Sequence, residues 1–174
     1  IDAHLASAGR GQRLASQRAA ASGQAPTDAG ARVMQLAAAD PFVASMGITC
    51  RKAGAGHATV GMALGPQHIN FNGNCHGGVI FTLADTAFGL ASNSHGVQAA
   101  GIDAHITYQR AARQGDVLLA SATEVSRSRR LAVYRVDVVR DSDSAAISSF
   151  TGTVYRLDDE TRGQPPEAGL QETM

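Results

Sequence analysis

The chain has 174 residues, the length of one domain. Apolar residues make up 44 %, enough for a core and too many for a disordered chain. Fifteen basic and 15 acidic residues leave a formal net charge of zero, which speaks against a nucleic-acid binder with its basic face and against a partner membrane of anionic lipid.

Residues 1–27 are rich in Ala, Ser, Gln and Gly, carry Arg10, Arg13 and Arg18, and read as a flexible arm. Thr27 or Asp28 can cap a helix through "AGARVMQLAAAD", which Pro41 interrupts. "PFVASMG" adds one short helical turn, and Val33, Leu36, Phe42 and Met46 are expected to cover a core surface. "GHATVGMAL", from Gly56, sets Ala58, Val60, Met62 and Leu64 against His57, Thr59, Gly61 and Ala63. That is strand spacing, and Gly65-Pro66 ends it. "NCHGGVIFTLADTAFGLASNSHG", Asn74 to Gly96, then reads as a helix that is apolar almost all round. Its Ile80, Leu83, Ala84, Ala87 and Ala91 share one face, and Phe81 and Phe88 another. Gly89 and the many alanines are expected to let a sheet approach closely. "GIDAHITYQR", "DVLLASATEV", "LAVYRVDVVR" and "AAISSFTGTVYRL" follow as strands, joined by "ARQG", "SRSRR" and "DSDS". Such short links favour antiparallel neighbours, hence a four-strand meander. The expected domain is 28–157, a curled antiparallel sheet wrapped around the helix, and residues 158–174 read as a loose tail.

The helix holds two features that packing does not demand. Gly77 and Gly78 stand at its start, where the first N–H groups lack internal partners and point along the positive end of the helix dipole. Glycine admits a substrate oxygen closely, so an N–H there could stabilise a developing oxyanion. The competing explanation is a tight loop that needs glycine for its dihedrals. Asp85 lies in the middle of the apolar run with no Lys or Arg one turn away. A desolvated acid is costly unless paired, and acids of shifted pKa gather at active sites. A structural Asp paired from elsewhere is the alternative.

Gly77 and Asp85 are eight residues apart, about 12 Å along one helix axis. A reacting group must come within roughly 3–3.5 Å of its target. One helix therefore does not serve one carbonyl with both groups, whereas two antiparallel copies can. The spacing predicts a two-fold dimer with composite sites.

Cys75 next to His76 suggests a thiol nucleophile, but adjacent side chains point apart, and a small buried Cys is the simpler reading. His76 could position the loop or touch substrate. His68, His76, His95 and His105 match no zinc spacing, so no metal is expected. Asn70 and Asn72, in the loop before the helix, suit turn chemistry or could orient a water or carbonyl. Arg127, Arg129 and Arg130 make a basic turn, either a solvated hairpin tip or a patch for the phosphates of coenzyme A. Two cysteines imply no disulfide framework, no run of eighteen apolar residues spans a membrane, and no leucine-rich leader is visible. A reducing cytoplasm is the expected setting.

"HINFNGNCHGGVIFTLADTAFGLASNSHG", His68 to Gly96, strongly resembles the hot-dog-fold thioesterases of the phenylacetic-acid-degradation (PaaI-like) type, over roughly Phe42 to Leu157. The resemblance implies an α+β hot-dog fold, dimers that pair into tetramers, and hydrolysis of acyl-CoA thioesters such as hydroxylated phenylacetyl-CoA. By position it makes Asp85 the catalytic acid and Gly77 the N–H that polarises the carbonyl. It makes Asn70 the polar residue of the opposite subunit's loop, with His76 beside it. Gly78 joins the substrate site. Some related aryl-CoA thioesterases carry a hydroxyl residue four positions after the acid; here that position is Gly89, and Thr86 is the nearest hydroxyl. No cofactor is expected beyond the CoA of the substrate. A non-catalytic acyl-CoA sensor and an enoyl-thioester hydratase are the competing functions for this fold.

Overall fold

The computed structural model describes residues 28–157, so the expected arm and tail lie outside the described residues. Helix α1 spans Asp28–Ala39, with Asp28 in its first turn at the positive end of the helix dipole. Asp40 then leaves the helix in an extended conformation. Its Oδ1 accepts from the N–H groups of Phe42 (2.9 Å) and Val43 (3.2 Å), which starts α2, Pro41–Ser45. Val33 and Val43 are buried, and Met46 packs against the core. Leu36 and Phe42 depart from expectation, being 41 % and 55 % exposed. They line an open cavity instead of the core.

Six strands follow: β1 Thr49–Gly54, β2 His57–Ala63, β3 Ala99–Tyr108, β4 Val117–Arg127, β5 Leu131–Arg140 and β6 Ala146–Arg156. Helix α3, Gly77–Ser92, lies between β2 and β3 in the chain. The strands form one antiparallel sheet in the order β1-β2-β4-β5-β6-β3. Two expectations are corrected here. Strand β1 carried no legible signal, because it is an edge strand whose Thr49, Arg51 and Lys52 are exposed and whose register slips between Cys50 and Lys52. The four later strands are also not a meander. Strand β3 pairs with β6 at the far edge, and residues 109–116 carry the chain back to β4 beside β2. The "ARQG" turn is therefore the end of a crossover that is pinned along its length. Ala112 O accepts from Cys75 N (2.7 Å), and Leu64 exchanges hydrogen bonds with Asp116 and Gly115. Of the three links, "SRSRR" and "DSDS" do join neighbouring strands.

Helix α3 fills the concave face of the sheet. Ile80, Leu83, Ala84, Ala87, Phe88 and Ala91 are buried against it. Phe88 packs edge-on to Tyr134 at 5.8 Å and tilted to Phe150 at 5.5 Å. The close approach depends on Gly101 and Gly152, not on Gly89. A Cβ on Gly152 would lie 2.8 Å from Phe88 Cζ, while one on Gly89 would meet nothing within 4 Å. Gly89 faces the side of α3 that the sheet leaves uncovered.

Candidate active site

The uncovered side of α3 faces α1 and α2 across an open cavity of about 540 Å³. Leu36, Phe42, Phe81 and Leu90 give it apolar walls, and Asp85 and Thr86 sit on its helix side. Most of its polar groups are committed. Thr86 Oγ1 donates to Thr82 O at 2.8 Å. Asn93, at the C-terminal end of α3, donates Nδ2 to Gly89 O and Ala99 O, and its Oδ1 accepts from Ala99 N. Asp40 caps α2. Among the described residues, no hydrogen bond or ion pair holds Asp85. Its side chain is exposed at the cavity mouth, a correction to the expectation of a buried acid. The atoms crowded around its carboxyl still desolvate it, pushing its pKa above the ordinary Asp value.

The start of α3 is built from the preceding loop. Asn70 Oδ1 accepts from Asn72 N (2.9 Å) and Asn74 N (3.2 Å), the turn chemistry expected of it. His76 N donates to His68 O at 2.8 Å, which sets His76 at the N-cap. Its ring Nδ1 accepts from Gly78 N at 2.9 Å, so the neutral ring carries its proton on Nε2. Val79 N and Ile80 N both reach His76 O, at 2.9 and 3.3 Å. Of the first four N–H groups of α3, that of Gly77 alone has no partner among the described residues. The glycines are not explained by dihedrals, since neither has a positive φ. They make room for rings: a Cβ on Gly77 would lie 3.2 Å from Tyr108 Cζ, and one on Gly78 would lie 3.0 Å from His76 Nδ1.

The two sequence-selected features do not meet within one protomer. Gly77 lines a second cleft of about 330 Å³, with Cys75, Ile80, Tyr108 and Arg110, while Asp85 lines the first. Cys75 is buried, and burial, with the charge of Asp116 second, pushes its thiol up to about 11. That suits an inert packing residue. Arg127, Arg129 and Arg130 line neither cavity. Arg127 pairs with Glu124 (3.1 Å), which also holds His95 just past the C-terminal end of α3, so the basic hairpin sits at that end. Arg130 donates to Tyr155 OH at 2.9 Å. Tyr108 was missed from the sequence; it lies 31 residues from Gly77, and nothing local marks the contact. Among the described residues, no cluster of His, Cys, Asp or Glu is arranged to hold a metal, and no helix is long and apolar enough to cross a membrane.

Residues 72–147 match the family described as the Thioesterase superfamily. Acyl-coenzyme A thioesterase PaaI of Escherichia coli K12 is 32 % identical over 118 residues, which cover 68 % of this chain and 84 % of that protein. The chain belongs to the PaaI-like thioesterases. The structure of E. coli PaaI, from the phenylacetic acid degradation operon, superposes with a TM-score of 0.73 at 30 % identity over 75 % of this chain and 94 % of that one. A mutant of the phenylacetic acid degradation protein PaaI from Thermus thermophilus gives a TM-score of 0.65 at 39 % identity, covering 68 % of this chain and all of its own. This PaaI-like thioesterase has the hot-dog fold: one long helix, α3, cradled by a curled antiparallel sheet.

Proposed function

We propose that this PaaI-like thioesterase hydrolyses aryl-acyl-CoA thioesters, (hydroxy)phenylacetyl-CoA among them, at sites shared between two subunits. The Gly77 N–H of one subunit donates to the thioester oxygen. Asp85 of the other activates a water, or attacks the carbonyl itself to give a mixed anhydride. In either course an oxygen from water ends on the acyl carbon, the C–S bond breaks, and CoA leaves as its thiol. Asn70 and His76 hold the loop that presents Gly77, Gly78 supplies the peptide beside it, and Thr86 flanks Asp85.

The observation that carries the reading is the separation of two complementary halves. Among the described residues, an unpaired N–H lines one cleft and an unpaired, desolvated acid lines another, eight residues apart on one helix. Strand β3 supports a second copy, since it is an edge strand with Ile102 60 % exposed. The reading extends to dimers that pair into tetramers. Phe42, Phe81 and Leu36 around Asp85 suit an aromatic acyl group.

The test is thiol release from a panel of acyl-CoA esters. Asp85→Asn is expected to remain folded and to lose roughly 10³-fold or more in kcat. Unchanged turnover would remove Asp85 from the mechanism, and tight binding without turnover by the wild type would indicate a sensor. Mixing Asp85→Asn with an inactive Gly77 variant should restore roughly a quarter of wild-type activity, because half of random dimers are mixed and each holds one intact site. No recovery despite proven subunit exchange would break the composite site. In a single turnover, CoA released ahead of the free acid marks the anhydride course, and simultaneous release of the two marks direct attack of water on the thioester.

A further inference from the structure

The first turn of α3 carries one contact that the proposed reaction has not used. Tyr108, the last residue of β3, donates its phenol O–H to Gly77 O at 3.0 Å. The Gly77 carbonyl and the Gly78 N–H belong to one peptide unit. Tyr108 holds that unit at its oxygen and His76 Nδ1 holds it at its nitrogen. The Tyr108 ring also lies flush over Gly77, where a Cβ would come within 3.2 Å of Cζ and 3.3 Å of Oη. A helix end frays readily, and a glycine there has no side chain to restrain it. Here the residue is clamped from the cap, from the following peptide and from above.

We propose that Tyr108 is a positioning residue that fixes the direction of the Gly77 N–H, and that Gly77 is glycine because the Tyr108 ring takes the space of a side chain. This rests on the reading that the Gly77 N–H receives the thioester oxygen. Tyr108 touches no reacting atom. Its hydroxyl restrains the carbonyl side of Gly77, which leaves the opposite peptide, with its unpaired N–H, in one orientation. A donor fixed before the oxyanion forms stabilises the transition state more than the bound ester, so its loss belongs in kcat and not in KM.

The experiment combines Tyr108→Phe, Tyr108→Ala and Gly77→Ala, singly and as the Tyr108→Ala/Gly77→Ala pair, with Asp85→Asn alongside, assayed on phenylacetyl-CoA. Tyr108→Phe keeps the ring and is expected to keep KM and the melting temperature while kcat falls roughly five- to tenfold, the scale of one neutral hydrogen bond. Gly77→Ala is expected to lower kcat sharply in the wild type, where the new methyl displaces the ring. In the Tyr108→Ala background the same change should alter kcat less than about twofold, a strong non-additivity. An unchanged kcat in Tyr108→Phe, a change confined to KM, or additive losses in the pair would overturn the proposal. Asp85→Asn separates the two ideas. If it abolishes turnover while Tyr108→Phe is silent, only the role of Tyr108 falls; if it leaves turnover intact, Asp85 leaves the mechanism and the reading of a site shared between Gly77 and Asp85 falls with it.

Discussion

Helix α3 has two sides of opposite character. Towards the sheet, Leu83, Ala84, Ala87, Phe88 and Ala91 are buried to within a few per cent, and even the facing glycines are fixed by the Phe88 ring. Towards the cavity, Asp85, Thr86 and Gly89 are exposed or half buried, and Asp85 has no partner among the described residues. One side is filled to the limit of sterics and the other is left open. Packing and the proposed chemistry thus lie on opposite sides of one helix, and a change should damage one with little effect on the other.

The largest expected effect tests the packed side. Phe88→Ala removes a ring that contacts Tyr134 and Phe150, at a cost of about 3–5 kcal/mol. Denaturant unfolding of Phe88→Ala and Asp85→Asn against the wild type reads the contrast directly. Asp85→Asn is expected to unfold at the same or a higher denaturant concentration. An Asp85→Asn protein destabilised as much as Phe88→Ala would show that the open side also carries structure.

The next effect is in the pH dependence of the open side. Desolvation raises the Asp85 pKa in the folded protein, so the folded state favours the protonated acid. Its contribution to stability is present below the unfolded pKa and is lost as pH rises through the folded one. At neutral pH the ionised carboxylate is therefore a small burden, and Asp85→Asn removes it. Activity runs the other way, because both proposed roles need the carboxylate. The acid limb of kcat/KM should lie above the ordinary Asp range, and a limb at the ordinary value would place the working acid elsewhere.

How far the chain could be read without coordinates follows the same division. The packed side was legible: the strand spacing of β2 placed Ala58, Val60 and Met62 in the core, and the apolar run of α3 placed Leu83, Ala84, Ala87 and Ala91 there, although burial in β2 runs unbroken from Ala58 to Met62. Strand β1 was not, because an exposed edge carrying Arg51 and Lys52 has no buried face to impose a period. The place of β3 was not legible either, since local links report turns and not which strands pair across a helix. Away from the packed side, Asp85 in the middle of α3 and Gly77 at its start stood out because neither fits the apolar run of that helix. Tyr108 obeys the pattern of its strand, so only the fold brings it over Gly77. The three arginines of the basic hairpin were visible as a cluster, but their position beyond the C-terminal end of α3 was not.

The smallest effect sharpens the contrast most, because it uses one chemical change on both sides. Glycine to alanine within a helix gains about 0.5–1 kcal/mol where the methyl meets no obstacle. Gly89 is such a position, half buried on the cavity side with nothing within 4 Å of the added Cβ. Gly89→Ala should raise the melting temperature slightly, while its methyl narrows the cavity proposed to hold the acyl group and should raise KM for the proposed aryl-acyl-CoA esters. Gly152→Ala brings the same methyl 2.8 Å from Phe88 and 2.9 Å from Phe150, and should destabilise by about 1–3 kcal/mol with no separate change in KM. Equal melting shifts from the two substitutions would mean that α3 rides loosely in the sheet. Opposite shifts, with KM moving only for Gly89→Ala, would mean that the helix is fixed by its packed side so that the open side can be shaped for substrate.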